Sequence, residues 1–124
     1  MSTTTETGEL RITGIDLHGY QVKDVKRATA FYRDVLGLTP TLENDNGAEF
    51  ELADGSTFGI WDGGGFMPWI AGNGIMFAVT DFAAALRIAK ERGAKVLMEN
   101  EGPVCFMALL EDTEGNQLLL HKRK

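Results

Sequence analysis

The chain has 124 residues, enough for one compact domain and too few for two independent ones. Apolar residues make up 44% of the sequence and charged residues 24%, the composition of an ordinary folded protein rather than a disordered one. The net charge of −6 argues against a nucleic-acid-binding protein, because the phosphate backbone attracts basic surfaces.

Cysteine content and hydropathy suggest where the protein resides. A single cysteine, Cys105, excludes an intramolecular disulfide and is typical of a reducing compartment, so we expect a cytoplasmic protein. No stretch approaches the roughly 20 apolar residues of a membrane span, so no membrane partner is expected. Residues 1–9 are polar and lack the apolar core of a signal peptide; they are predicted to be a flexible tail before a single domain at 10–124.

The charges are distributed unevenly along the chain. The interval between Arg33 and Arg87 contains eight acidic residues and no basic one, whereas the rest of the chain carries a small positive excess. Two interpretations stay open: a solvated acidic face that keeps the protein soluble, or a field that attracts a cationic ligand. The acidic residues are Asp34, Glu43, Asp45, Glu49, Glu51, Asp54, Asp62 and Asp81.

Two helices are predicted from caps and apolar spacing. Asp24 is a good N-cap, apolar residues follow it at three- to four-residue intervals, and Gly37 stands where a left-handed C-terminal residue belongs. Asp81 begins the same pattern, which ends at Gly93. A short extended run precedes each helix, so the pattern repeats after 57 residues.

Three short strands are predicted after each helix. They occupy 39–44, 48–53 and 57–61 in the first set and 95–99, 104–111 and 116–121 in the second. The order strand, helix and three strands thus occurs twice, at about 10–62 and 74–121, with a linker at 63–73. Because neither half can bury a sufficient core alone, we predict an α+β fold of two βαβββ modules whose mixed sheets curve around a central cleft.

Two segments carry a resemblance to a known family. Asp24–Leu38 has the sequence DVKRATAFYRDVLGL, and Asp112–Asn116 has the sequence DTEGN before the final strand. Together with the repeated module, these segments resemble the vicinal-oxygen-chelate superfamily, which includes glyoxalase I, bleomycin-resistance proteins and extradiol dioxygenases. The resemblance covers nearly the whole chain after Gly8; it implies the fold and is silent on the reaction.

Enzymes of this superfamily hold a divalent metal with His, Gln or Glu on the first and last strands of each module. The resemblance places these positions at Leu17, Gly59, Gly74 and Leu119, none of which offers a side-chain lone pair. Catalytic zinc requires three protein ligands, and the hard cations require several oxygens. We therefore expect no metal and no other cofactor, and we name no catalytic residue.

His18 keeps an enzymatic alternative open. If a bulge turned His18 into the cleft it could bind a metal, with His121 as the only other imidazole. Without a bulge it shares the parity of Tyr20 and Val22 and faces the helix. The alternative function is therefore a metal-dependent lyase, isomerase or dioxygenase with displaced ligands.

Strand alternation predicts an apolar cleft with an aromatic plate and a few neutral polar groups. Such a surface suits the binding of an organic molecule better than the stabilisation of an enolate, which needs a fixed charge. Glu49 and Glu51 share one strand face and are interpreted as a solvent-facing edge rather than a carboxylate pair. The strand residues predicted to bind ligand are Leu17, Gln21, Trp61, Met76, Gln117, Leu119 and His121.

The linker begins with three glycines and carries Phe66 and Trp69. Two interpretations remain: these aromatics plug the core, or a glycine-hinged flap lays Phe66 or Trp69 over the bound molecule. The second interpretation adds both residues to the predicted ligand-binding set.

The sequence thus favours metal-independent binding of a small organic ligand, aromatic or cationic, in the cleft. Similarity to the bleomycin-resistance branch implies sequestration of an antibiotic by a homodimer whose clefts are shared between chains. The metal-dependent enzyme is the alternative, and a scaffold whose cleft is filled by its own aromatics is a third possibility.

Overall fold

The computed structural model describes residues 10–124, and the predicted tail at 1–9 lies outside the described residues. The elements follow the order βαβββ twice. The first module contains β1 (His18–Gln21), α1 (Val25–Ala30) with a π-helical turn (Phe31–Val35), β2 (Pro40–Asn44), β3 (Gly47–Glu51) and β4 (Thr57–Trp61). The second contains β5 (Ile75–Ala78), α2 (Phe82–Glu91), β6 (Lys95–Glu101), β7 (Cys105–Glu111) and β8 (Gln117–Arg123).

Each module forms one four-stranded mixed sheet. Sheet A has the strand order β1–β4–β3–β2, and sheet B repeats it as β5–β8–β7–β6. The first strand of each module runs parallel to its last strand, and the other neighbours are antiparallel. The prediction of an α+β fold with two βαβββ modules is confirmed. Over residues 10–124 the two sheets remain open rather than closing into a barrel.

Both helices begin and end where the sequence predicts. Asp24 accepts a hydrogen bond from the Arg27 N–H at 3.0 Å, and Asp81 caps α2 in the same way. Gly37 and Gly93 follow the helices with positive φ, a conformation that strains any residue with a Cβ. No helix within the described part of the chain combines the length and apolarity needed to cross a membrane.

The first helix departs from the regular α-helix predicted for it. The Leu36 N–H donates to the Phe31 carbonyl at 3.2 Å, which widens the last turn to a π-helical one. The wider turn brings the consecutive aromatics Phe31 and Tyr32 into the core together. The packing of two adjacent aromatic side chains thus outweighs the preference for a regular α-helix that the 3.6-residue spacing of apolar residues predicts.

One hydrophobic core joins the two modules. The Phe58 ring of β4 lies 4.8 Å from the Tyr32 ring and 5.1 Å from the Phe77 ring of β5, centroid to centroid. Leu118 of β8 belongs to the same core and is fully buried. The helix-bearing faces of both sheets are therefore packed together, and we call the opposite faces the outer faces of sheets A and B.

Glu114, in the turn before β8, fastens the second module to the first. Its carboxylate accepts hydrogen bonds from the backbone N–H groups of Lys23 at 3.0 Å and Asp24 at 2.8 Å. The same carboxylate forms an ion pair with Arg27 at 2.9 Å. The Glu114 side chain is fully buried, so this contact stabilises the approach of β8 to the start of α1.

Asp112 and Asn116 complete the contact between the modules. The Tyr32 hydroxyl donates to Asp112 Oδ2 at 2.7 Å, and Asn116 Nδ2 donates to the Gln21 carbonyl at 2.9 Å. Burial and the adjacent Asp112 carboxylate raise the pKa of Tyr32, so it remains a neutral donor. The segment Asp112–Asn116, one of the two that carry the family resemblance, therefore has a structural role: it joins the two modules.

Candidate functional site

A cavity of about 510 Å³ opens on the outer face of sheet A, and we call it the sheet cavity. Its apolar walls are formed by Leu17, Leu42, Trp61 and, from the linker, Met67. These four side chains are each about half exposed, which is unusual for large apolar groups in a small protein. The sheet cavity therefore presents apolar surface suited to an organic molecule.

Two adjacent glycines form the floor of the sheet cavity. Gly19 of β1 lies opposite Gly59 of β4 in the parallel ladder. A Cβ on Gly59 would lie 3.3 Å from Leu17 Cδ1 and 3.8 Å from Glu49 Cγ, so both side chains lean over the bare backbone. A side chain larger than a methyl group at Gly59 would occupy the space between them.

The positions that bind metal in related enzymes do not fit a cation here. Leu17 and Gly59 meet in the sheet cavity, whereas Leu119 lies beside Met76 on the outer face of sheet B, and Gly74 precedes β5. Hydrocarbon and backbone occupy these positions. Within residues 10–124, no three His, Cys, Asp or Glu side chains come together as a metal site would require.

The two histidines lie on different faces of different sheets. His18 pairs with Phe58 in an unbulged ladder and keeps the parity of Tyr20, as predicted without a bulge. Its side chain is nevertheless exposed to solvent rather than packed in the core. His121 lies on the outer face of sheet B, opposite Met107. The arrangement does not bring the two imidazoles to one site.

The linker meets the sheet cavity at Trp61. The rings of Trp61 and Phe66 contact edge to face, with their centroids 5.7 Å apart. Gln21 holds the linker, because its Nε2 donates to the Met67 carbonyl at 3.3 Å and its Oε1 accepts from the Ile70 N–H at 3.3 Å. Trp69 instead lies beneath Lys23, with Nζ 4.6 Å from the ring centroid. Of the two linker aromatics, Phe66 is therefore the one that contacts a wall residue of the sheet cavity, although it does not itself line the cavity.

The predicted ligand-binding residues separate into two groups in a single chain. Leu17, Gln21 and Trp61 line the sheet cavity, all of whose lining residues come from the first module or the linker. Gln117, Leu119 and His121 alternate with buried residues of β8 and so belong to the outer face of sheet B, as does their neighbour Met76 on β5. One chain thus supplies one sheet to the sheet cavity.

A second cavity of about 780 Å³ lies between the modules on the helix side, and we call it the inter-module groove. Met76 opens onto it, as do the polar residues His18, Asp54 and Arg92. Asp54 accepts two hydrogen bonds from Ser56, which lower the pKa of Asp54, and Arg92 donates to a backbone carbonyl at 3.2 Å. Most of these polar groups already form hydrogen bonds to protein atoms. The inter-module groove therefore offers fewer free polar groups to orient a ligand, and the sheet cavity is the stronger candidate site.

Leu42, Met67 and Glu49 line the sheet cavity but are not among the residues predicted to bind ligand, and Glu49 is the charged one of the three. The interpretation of Glu49 and Glu51 as a solvent-facing edge holds for Glu51, which is exposed, and is wrong for Glu49, which is half-buried and lines the sheet cavity. The period-2 pattern placed Glu49 on the right face. The missing information was the register, which sets Glu49 directly opposite Gly59.

Comparison with known proteins places the chain in a family. Residues 14–120, nearly the whole repeated unit, match the model of the Glyoxalase/Bleomycin resistance protein/Dioxygenase superfamily. The chain belongs to this superfamily. The resemblance inferred from Asp24–Leu38 and Asp112–Asn116 is thereby confirmed. Comparison with curated protein sequences gives no significant match.

Solved structures share the superfamily fold with this chain. An antibiotic binding protein from Streptomyces sp. CB03234, TnmS3, superimposes with a TM-score of 0.80 at 20% identity, covering 94% of this chain and 100% of that one. A lactoylglutathione lyase from Agrobacterium tumefaciens gives 0.75 at 19% identity, covering 90% and 94%. A putative glyoxalase family protein from Bacillus anthracis gives 0.74 at 19% identity, covering 94% and 99%. At these identities the similarity establishes the fold.

Proposed function

We propose that this superfamily member binds a small organic molecule in the sheet cavity without a metal ion. The observation that carries the proposal is the combination of an apolar cavity around Trp61 with hydrocarbon at Leu17 and bare backbone at Gly59. An aromatic plate, flexible Met67 and a glycine floor favour the binding of a flat organic compound. Support also comes from a structural neighbour that is an antibiotic binding protein.

The proposal includes a homodimer in which a second copy closes the sheet cavity. Met76, Leu119, Leu109 and Met98 form an apolar row across the outer face of sheet B, one from each strand. Met76 and Met98 are each more than half exposed in the single chain. Exposed apolar rows of this kind mark interaction surfaces, and sheet B of a partner chain would supply the wall that one chain lacks.

Titration calorimetry against a panel of planar aromatic drugs and metabolites, cationic and neutral, tests the proposal. We expect saturable heat from at least one compound, with about one molecule bound per sheet cavity. The absence of heat from a broad panel, together with stoichiometric binding of added Mn²⁺, Ni²⁺ or Zn²⁺, would contradict it.

Elemental analysis of protein purified without chelator tests the metal-independent part. We expect less than about a tenth of an equivalent of any divalent metal, because a site requires several donor atoms that Leu17 and Gly59 cannot supply. Stoichiometric metal that is lost on His18→Ala would instead support the metal-dependent enzyme.

A further inference from the structure

Glu49 is the only charged side chain that lines the sheet cavity within residues 10–124. The remaining lining is apolar or neutral; its other titratable group, Tyr20, donates its hydroxyl to the Gln117 carbonyl, and burial raises the pKa of Tyr20. A half-buried carboxylate beside an aromatic wall is therefore the single electrostatic feature of the cavity. Such a feature orients a ligand by charge.

The internal repeat shows how unusual this carboxylate is. Across the outer face of sheet A, a row of paired residues crosses the four strands, and the equivalent row crosses sheet B in the second module. The sheet A row is Gly19, Gly59, Glu49 and Leu42. The sheet B row is Met76, Leu119, Leu109 and Met98.

Three of the four positions differ in kind between the two rows. Where sheet B carries Met76 and Leu119, sheet A has Gly19 and Gly59, so no side chain rises from the sheet at these two positions and Leu17 Cδ1 lies over both. Where sheet B carries Leu109, sheet A has Glu49. The same fold position thus accepts hydrocarbon, so the carboxylate is not demanded by the sheet itself. Sheet A has instead two glycines partly covered by Leu17, with the Glu49 carboxylate beside them.

Glu49 has no cationic partner among the described residues. No Lys or Arg in the range 10–124 lies within ion-pair distance of its carboxylate. Its strand also lies in the interval of the chain that contains acidic residues and no basic ones. An anionic ligand would be repelled from this surface, whereas a cation would gain the carboxylate and the π-face of Trp61 together.

We infer that Glu49 makes the sheet cavity selective for organic cations: a positively charged nitrogen on a flat, apolar body. The inference rests on the proposed function and adds the class of ligand. The charged nitrogen lies beside Glu49 at the side of the glycine floor, and the flat body lies against Trp61, Leu17 and Leu42. Neutral molecules of the same shape bind through the apolar walls alone and therefore more weakly.

Two probes of nearly the same shape and different charge test this inference. N-methylacridinium is a permanent planar cation, and acridine is its uncharged counterpart at about pH 8, where carboxylates are ionised. Titration of the full chain by calorimetry gives the dissociation constant of each probe. We expect the cation to bind about 10-fold more tightly than the neutral probe, a difference typical of a contact with a charged group.

Three variants distinguish an effect of the Glu49 carboxylate on affinity from an effect of the overall negative charge of the surface. Glu49→Gln should remove the preference, lowering the affinity for N-methylacridinium about 10-fold while changing that for acridine less than about 2-fold. Glu49→Asp should keep most of the preference. Glu51→Gln removes the same charge from the same strand at an exposed position outside the cavity, so it should change neither affinity. Thermal unfolding of each variant verifies the fold.

The possible outcomes distinguish this inference from the proposed function. Equal affinity of the wild-type protein for the two probes, or an equal loss in Glu49→Gln and Glu51→Gln, overturns the selectivity of Glu49 and leaves a binding protein. Failure of both probes and of the wider panel to bind overturns the proposed function, and this inference with it.

Discussion

Trp61 stands where the apolar wall of the sheet cavity meets the linker. Its ring contacts Phe66 on one side and is about two-fifths exposed, so a substantial part of the aromatic face is available to a ligand. The core aromatics Phe50 and Phe58, by contrast, are fully buried. Folding therefore leaves an aromatic surface at Trp61 open for the ligand contact that we propose.

Replacement of Trp61 by alanine should weaken ligand binding more than it lowers stability. We expect about a 10-fold or greater loss of affinity for any flat ligand, because stacking and apolar contact disappear together. Calorimetry measures the affinity and thermal unfolding the stability. A large drop in melting temperature with unchanged affinity would show that Trp61 is only a packing residue.

Residue identity alone was enough to locate Leu17, Gln21 and Trp61 on one face, because side chains alternate along every strand. Residue identity was not enough to place Glu49 in the cavity. The local sequence around a carboxylate on a polar strand is the same whether that carboxylate faces bulk solvent or a cavity. The pairing of β3 with β4 decides between these, and it depends on turn geometry rather than on the residue.

The first helix is held to sheet A by aromatic packing. Phe31 is 6% exposed, and the neighbouring Tyr32 ring lies 6.2 Å from the Phe50 ring of β3 and 4.8 Å from the Phe58 ring of β4, centroid to centroid. The Asp24 cap and the closing glycine were predictable because such end signals are local. The π-helical turn was not, since it results from the fit of two neighbouring rings into a core assembled from both modules.

Phe31→Ala should lower the free energy of unfolding by roughly 3–5 kcal/mol, the usual cost of removing a buried aromatic ring. Urea unfolding measures this directly. Phe66→Ala offers a matched control, because Phe66 is 76% exposed and its loss should cost less than about 1 kcal/mol. A cost below about 1 kcal/mol for Phe31 would mean that this face of the helix does not carry the packing.

The turn that carries Glu114 makes stability depend on pH. Burial alone would raise the pKa of Glu114, but hydrogen bonds from the Asp24 N–H, Thr113, Arg27 and the Lys23 N–H lower it below its ordinary value. The unfolded chain therefore binds this proton more readily than the folded one, and stability falls as the solution is acidified through the folded-state pKa.

Glu114→Gln should lower the free energy of unfolding at neutral pH by about 1–3 kcal/mol and flatten its decline toward acid pH. Urea unfolding at a series of pH values measures both effects. Glu101→Gln removes an exposed carboxylate paired with Lys124 and should change stability by less than about 1 kcal/mol. An acid-induced decline as steep in Glu114→Gln as in the wild-type protein would contradict the assignment.

The assembled fold separates residues that strand alternation predicts to line one cleft. The spacing of apolar residues predicts the repeated βαβββ order and the sheet face on which each strand residue lies, because both depend only on neighbouring residues in the sequence. It could not say which faces of the two sheets meet. In one chain the meeting faces are those that bear the helices, through Phe58 and Phe77, so Trp61 and Leu119 lie on separate outer faces.

A homodimer would be sensitive to charge placed on the outer face of sheet B. Met98→Lys introduces a charge into the apolar row and should shift the protein toward monomer by at least about 10-fold in dissociation constant. Val104→Lys is a control at a position outside the row that is somewhat more exposed than Met98. Light scattering over a concentration series measures the shift. A wild-type protein that is monomeric at all concentrations would contradict the shared site.

A crystal structure of the protein in complex with N-methylacridinium tests the proposed site in the sheet cavity most directly. We expect density for one planar molecule against Trp61 and beside Glu49, with Met76 and Leu119 of a second copy across from it. Density for the ligand in the inter-module groove alone, or for a metal ion near Leu17 bound by displaced side chains, would contradict it.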